Sequence, residues 1–215
     1  MASSGDRSLP GWLEFFADEH DEARNTLFAA FGFEAHRYFL ELRRPLSEPI
    51  PEVALTPDLR LVPFDPERDD ATRLAHNEAF QDHWGSSAID EETWATWVTG
   101  HRDFRSDLSF LVLDGDEVAG YAINAAHEIE WEALGFSEAW THQLGVRRPW
   151  RGRGVARALL AASMQAFADE HLEFAALDVD AENPTGALAL YLGIGYERDR
   201  TRVLWARQLE RLTQE

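Results

Sequence analysis

The stretch LGVRRPWRGRGVARALL, Leu144 to Leu160, decides how the rest of the chain is read. It passes from a strand-like apolar end through a turn containing Pro149 into R-G-R-G-V-A, Arg151 to Ala156, which opens a long amphipathic helix predicted over residues 154–171. A helix N-terminus leaves main-chain N–H groups unpaired and carries partial positive charge, and glycine lets the backbone approach a ligand closely, so this corner suits an anion. Gly152 and Gly154 stand where that approach is needed. Arg147, Arg148, Arg151, Arg153 and Arg157 add five cations within eleven residues, a local field able to hold a diphosphate.

That field is exceptional in this chain. The 215 residues carry a formal net charge of -19, which opposes sequence-independent binding to nucleic acid. All 20 basic residues counted as Lys or Arg are Arg, and Cys is absent. Without Lys there is no P-loop lysine and no Schiff-base site; without Cys there is no thiol nucleophile, zinc-thiolate site or disulfide. A metal site of the H-E-x-x-H type is excluded at His127-Glu128, because position 131 is Trp. No run approaches the roughly 20 apolar residues of a membrane span, and the start MASSGDRSLPGW lacks a signal-peptide pattern, so a cytoplasmic protein is expected.

Outward from the glycine-rich turn, the pattern is mixed α+β. Strands are predicted over 59–64, 108–113, 117–124, 139–146, 174–179 and 196–205, and helices over 67–80, 88–99 and 185–192. Asp90 is a candidate cap, and Asp114-Gly115-Asp116 is a hairpin signal. The segment HEIEWE, with Glu128, Glu130 and Glu132, reads as a solvated acidic loop. Before this pattern stands PLSEPIPEVALTP, residues 45–57, a stiff proline-rich linker. Earlier still, Trp12, Leu13, Phe16, Leu27, Phe28 and Phe31 recur at near-helical spacing, broken by a candidate turn at residues 18–21, and Phe33 to Arg44 reads as a strand.

One internal similarity links the two ends. LFAAFGFE, Leu27 to Glu34, aligns with LYLGIGYE, Leu190 to Glu197, at an offset of 163 residues, about one domain length. The first 45 residues therefore read as the C-terminal remnant of an earlier copy, residues 46–57 as linker and residues 58–215 as a complete domain.

The turn and its context resemble the GCN5-related N-acetyltransferase (GNAT) family, whose acetyl-CoA signature R/Q-x-x-G-x-G/A is matched by Arg151 to Ala156 at every specified place. A second block, LDVDAENPTGALALYLGIGY, Leu177 to Tyr196, supplies the family's Asn, its Leu-Tyr pair and its Gly-aromatic turn as Asn183, Leu190-Tyr191 and Gly195-Tyr196. The spacing from Asn183 to Tyr191 is one residue longer than the commonest form. The resemblance covers residues 58–208. It implies the GNAT acyl-CoA N-acyltransferase fold, an α+β twisted, mostly antiparallel mixed sheet flanked by helices. NEAFQDHWG, Asn77 to Gly85, is similar to a segment of tandem members that include mycothiol synthases.

The same resemblance implies direct acetyl transfer from acetyl-CoA to a primary amine of a small molecule or peptide, a mycothiol-type aminosugar-linked cysteine among them, with no metal. Leu144, Val146, Arg151, Gly152, Arg153, Gly154, Val155, Ala156 and Asn183 are the expected cofactor-binding residues. Tyr191 is the expected acid for the departing thiolate, since an unperturbed phenol with a pKa of about 10 is protonated at neutral pH. Glu138 and His142, on one face of the predicted strand, are both candidates for the base, and His83 and Trp84 for the acceptor pocket. A homodimer joined through residues 33–44 is left open. A non-catalytic acyl-CoA-binding protein would share the cradle and differ only in showing no turnover.

Overall fold

The structure is a computed structural model and describes residues 11–81, 87–183 and 185–209. His83 and Trp84 lie outside the described residues. In chain order the elements are β1 (Trp12–Asp18), α1 (Glu22–Ala30), β2 (Glu34–Pro45), β3 (Leu59–Pro63), α2 (Asp69–Ala79), α3 (Glu91–Trp97), β4 (Phe110–Asp114) and β5 (Glu117–Ala125). They continue with α4 (Glu128–Leu134), β6 (Glu138–Val146), α5 (Val155–Asp169), β7 (Phe174–Asp180), α6 (Ala187–Leu192) and β8 (Glu197–Gln208). The described residues divide into a larger compact unit, 42–177 with 189–197, and a smaller one, 11–41 with 178–188 and 198–209.

In the larger unit the strand order is β7-β6-β5-β4-β3, antiparallel from β3 to β6 and parallel between β6 and β7. Two apolar layers sandwich the sheet. On one side Trp94 and Ala75, from α3 and α2, pack with Tyr121, Leu111 and Ile123; on the other Val155 and Leu159 of α5 pack with Val112, Ala119 and Ala122. The sheet is therefore buried on both faces, which explains why β5 reads as nearly continuous small and apolar residues rather than an alternation. The Asp114-Gly115-Asp116 hairpin forms with Gly115 at φ +56°, and Asp90 caps α3 by accepting from the Thr93 N–H at 2.8 Å.

The proline-rich linker forms no helix or strand between β2 and β3 beyond Pro45, yet it is tied down. The buried Arg44 guanidinium donates to the carbonyls of Pro45, Pro49 and Ile194 at 3.1, 2.7 and 3.0 Å, and the Leu46 N–H donates to the Glu173 carbonyl.

In the smaller unit β8 lies between β1 and β2. Here the expectation of one interrupted helix over residues 12–31 is corrected: Trp12 to Asp18 form a strand whose register with β8 runs from Trp12↔Gln208 to Asp18↔Arg202. The apparent helical spacing joined two different elements. Helix α1 starts only at Glu22, where the Asp21 carboxylate accepts from the Arg24 N–H at 2.9 Å. Phe28 then packs against Phe15, Phe33 and Trp205 with ring separations of 5.5, 5.8 and 6.2 Å.

A second correction concerns HEIEWE. Glu128 to Leu134 form helix α4 rather than a loop, ended by Gly135 in the left-handed region at φ +80°. None of its residues is fully buried, so no periodic apolar stripe marks it in the sequence.

Candidate functional site

Strand β6 is the axis of the site. It pairs with β7 over three positions only, Glu138↔Phe174 to Trp140↔Ala176, and then runs on to Val146 without that neighbour. Past Trp140 that edge of β6, including Leu144 and Val146, has no further ladder pairing with β7 among the described residues. Its other edge stays in the ladder with β5, where Gly120 faces Val146 and Ala122 faces Leu144.

The turn expected to cradle an anion lies at the end of β6. Gly152 and Gly154 sit at φ +76° and +80°, a region that L side chains avoid, and open space lies where a Cβ would stand on either. Gly154 is the N-cap of α5, no side chain caps the helix, and the first helical bond runs from the Ala158 N–H to the Gly154 carbonyl. Arg147, Arg151 and Arg153 make contacts within the protein. Arg147 is paired with Glu78 at 2.7 Å and Glu117 at 3.1 Å and lies over the Trp150 ring. Arg151 donates to the carbonyls of Val146 and Ala79 at 3.0 and 2.9 Å, and Arg153 pairs with Asp58 and donates to Thr56. These contacts anchor the turn and leave the main chain from Gly152 to Ala156 at the open start of α5.

The candidate bases diverge. Glu138 has a nearly inaccessible side chain, and both its oxygens are taken, one by Arg43 Nε at 2.7 Å and the other by Trp140 Nε1 at 2.9 Å. His142 occupies a bulge. In the β5–β6 register Ile123 faces Gln143 and Asn124 faces Thr141, which leaves His142 without a cross-strand partner and re-aims its side chain. It lines a small, partly open pocket shared with Trp97, Val98, His101, Phe104 and Gln143. His142 stands at the mouth with its outer edge open to water and its ring crowded by neighbours. Desolvation first, and then the charges of His127 and His101, pull its pKa down to about 4.

Two residues beside His142 were not assigned to the site from sequence: Asp103, and His127, which was weighed only as a metal ligand. His127 Nε2 lies 2.9 Å from His142 Nε2, and His127 Nδ1 lies 2.9 Å from the Asp103 carboxylate. The bridge between Phe104 and Ala125, with the Ala126 N–H donating to the Asp103 carbonyl, sets Asp103 beside the start of α4, where His127 is the N-cap. Burial opposes ionisation of Asp103, but the His127 hydrogen bond and the charges of Arg102, His127 and His101 outweigh it and hold the carboxyl below its usual range.

Tyr191, on α6, is buried with its ring edge-on to Tyr196 at 6.2 Å. Desolvation raises the pKa of the fully buried Tyr196 hydroxyl, so it stays protonated. The Asn183 side chain accepts from the Thr185 N–H and hydroxyl, closing the turn that leads to α6. Among the described residues no three His, Cys, Asp or Glu side chains gather as a metal site, and no helix is long and apolar enough to cross a membrane.

Known proteins resemble this chain in sequence and in fold. The mycothiol acetyltransferase of Kocuria rhizophila is 31% identical over 206 residues, covering 92% of this chain and 66% of its own length. That of Acidothermus cellulolyticus is 28% identical, covering 92% and 62%. The chain thus spans less than two thirds of these relatives. Among solved structures, a GCN5-related N-acetyltransferase from Sphaerobacter thermophilus superposes with a TM-score of 0.74 at 24% identity, covering 93% of this chain and 60% of that one. A tandem GNAT protein from the clavulanic acid biosynthesis pathway gives 0.65 at 15% identity, covering 92% and 64%. Those two likenesses establish the fold. The model of the acetyltransferase (GNAT) family matches residues 70–196, more than half of the sequence and all of the strands around the β6 opening, and the chain belongs to that family.

Proposed function

We propose that the protein transfers the acetyl group of acetyl-CoA to a primary amine. The observation that carries this reading is the opening beside β6, which leads to an uncapped helix N-terminus through two glycines in the left-handed region. Main-chain groups of Leu144 and Val146 line the place for the pantetheine arm. Gly152, Arg153, Gly154, Val155 and Ala156 present amides to the diphosphate, and Arg151 fixes the turn. Asn183, closing the turn before α6, is the further residue we assign to the cofactor. When bound, the cofactor supplies an acetyl thioester, an acyl donor that an uncharged amine attacks.

The chain's own part in the reaction is to align the two reactants, take a proton from the amine and return one to the thiolate. Tyr191 gives the second proton from its hydroxyl. The acceptor enters the pocket lined by Trp97, His101, Phe104 and His142, whose aromatic walls and imidazoles suit a polar amine of modest size. The names of the curated relatives favour a mycothiol-type acceptor over a peptide. Calorimetry with acetyl-CoA, followed by a thiol-release assay over small amines, aminosugar conjugates and peptides, tests the reading. Absence of any heat of association refutes it. Tyr191→Phe should lower kcat by about 10² while leaving acetyl-CoA affinity unchanged.

The earlier elements belong to the same proposal. Strands β2 and β8 have the same bounds at the offset of 163 residues, and Gly32 and Gly195, at φ +75° and +94°, end the preceding helices alike. This supports residues 11–45 as the closing elements of a first GNAT-like copy, 46–57 as linker and 58–215 as the second copy.

A further inference from the structure

On the acetyl-transfer reading just given, we propose that Asp103, His127 and His142 form a proton relay: Nδ1 of His142 takes the proton of the acceptor ammonium, and His127, oriented by Asp103, receives the proton displaced from Nε2.

With His127 neutral before the reaction, the hydrogen-bond chain fixes the tautomers. An ionised carboxylate only accepts, so the 2.9 Å contact to Asp103 requires the proton of His127 to be on Nδ1. Neutral His127 then has a lone pair on Nε2. Across the 2.9 Å separation of the two Nε2 atoms one must donate, and the donor is His142. Its Nδ1 is thereby left unprotonated, the one nitrogen of a pocket-lining ring not committed to His127. The bulge at Ile123/Asn124 aims that ring, and the Phe104↔Ala125 bridge sets the distance between Asp103 and His127.

The step balances. An N–H bond of the ammonium breaks as Nδ1–H forms on His142; Nε2–H of His142 breaks as Nε2–H forms on His127. The amine is left neutral with its lone pair, His142 is neutral in its other tautomer, and the positive charge rests on His127. The relay resets when His142 releases its Nδ1 proton to water and takes Nε2–H back.

The charges around the chain explain why the proton should not stop at His142. With its pKa pulled to about 4, that imidazole holds a proton poorly, whereas His127 lies against the Asp103 carboxylate. The other groups facing the chain are His101, 3.7 Å from Asp103, and Arg102, 3.4 Å from it. Arg105 is taken up by Asp107, Glu128 and Glu170. Asp103 and His127 are thus positioning and proton-accepting residues behind one group that touches the substrate.

Nitrogen-15 NMR of the imidazoles in the full-length wild-type protein tests the tautomers without knowledge of the acceptor. The expected result is His142 protonated at Nε2 and bare at Nδ1, with His127 protonated at Nδ1; a His142 protonated at Nδ1 overturns the relay. His127→Ala should lower turnover at pH 7 by about 10², with the KM for acetyl-CoA unchanged and activity restored by added imidazole. Unchanged turnover, or a loss that imidazole does not repair, also overturns it. Calorimetry with acetyl-CoA on the same wild-type sample separates the two ideas. Binding together with wrong tautomers refutes the relay alone, whereas no binding refutes the acetyl-transfer reading and the relay with it.

Discussion

Replacing Gly145 by Ala tests the packing that holds the site strand in place. Gly145 lies between Leu144 and Val146 on β6, opposite Tyr121 of β5, and a Cβ there would come within 2.5 Å of the Tyr121 hydroxyl oxygen and 2.6 Å of Cζ. Tyr121 cannot step aside: it is fully buried in the apolar layer with Trp94 and Leu111, and its hydroxyl, kept protonated by burial, shares a hydrogen bond with His76 Nδ1 at 2.7 Å. Overpacking a close-packed interior costs about 1–3 kcal/mol, and losing the Tyr121–His76 bond adds about 0.5–1.5 kcal/mol. The expected loss is about 2–4 kcal/mol, a fall in Tm of roughly 4–15 °C for a chain of this size. Thermal melts followed by circular dichroism measure it. In a Tyr121→Ala background, where no ring opposes the new methyl group, Gly145→Ala should cost under about 0.5 kcal/mol. A Tm within one degree of wild type, or the same penalty in both backgrounds, would refute the reasoning.

Three further outcomes are expected. Gly154→Ala forces a side chain into the left-handed region, which costs roughly 1–2 kcal/mol; both Tm and calorimetric affinity for acetyl-CoA should fall, although the methyl group itself meets open space. Arg43→Ala strands the Glu138 carboxylate in a buried site and should cost about 3–5 kcal/mol in urea unfolding; Arg43→Ala with Glu138→Leu should recover most of that, since no unpaired charge remains. His142 has a folded pKa of about 4 against 6.5 for a free histidine, so between those values the unfolded chain binds more protons and stability rises with pH. His142→Gln should flatten Tm across that window, and a wild-type slope that persists in the variant would remove His142 as its source.

Local chemistry made much of the fold legible. The glycine-rich opening of α5, the Asp90 cap and the Asp114-Gly115-Asp116 hairpin each act within a few residues, and each formed where the sequence placed it. Trp12 to Asp18 were misread because aromatic residues suit both periods and the deciding contact is with β8, nearly the whole chain away. Helix α4 buries no residue fully and so has no stripe to read. In the site, His142 was visible as a strand residue, but its bulge is a fact of register with β5, and its partner His127 owes its place to a bridge between Phe104 and the end of β5. The arginine cluster was legible as charge; that most of it serves carbonyls and carboxylates of the protein itself depends on which acidic groups the fold delivers.

The three carbonyls held by Arg44 give the region an unusual tolerance of acid. Amide oxygens do not titrate over the range in which carboxylates are neutralised, and a guanidinium never loses its proton there. Acid strong enough to neutralise carboxylates should therefore leave the knot joining the Pro-rich segment to the Ile194 turn intact, so that exchange-protected amides of residues 44, 46 and 194–196 outlast those of their immediate neighbours.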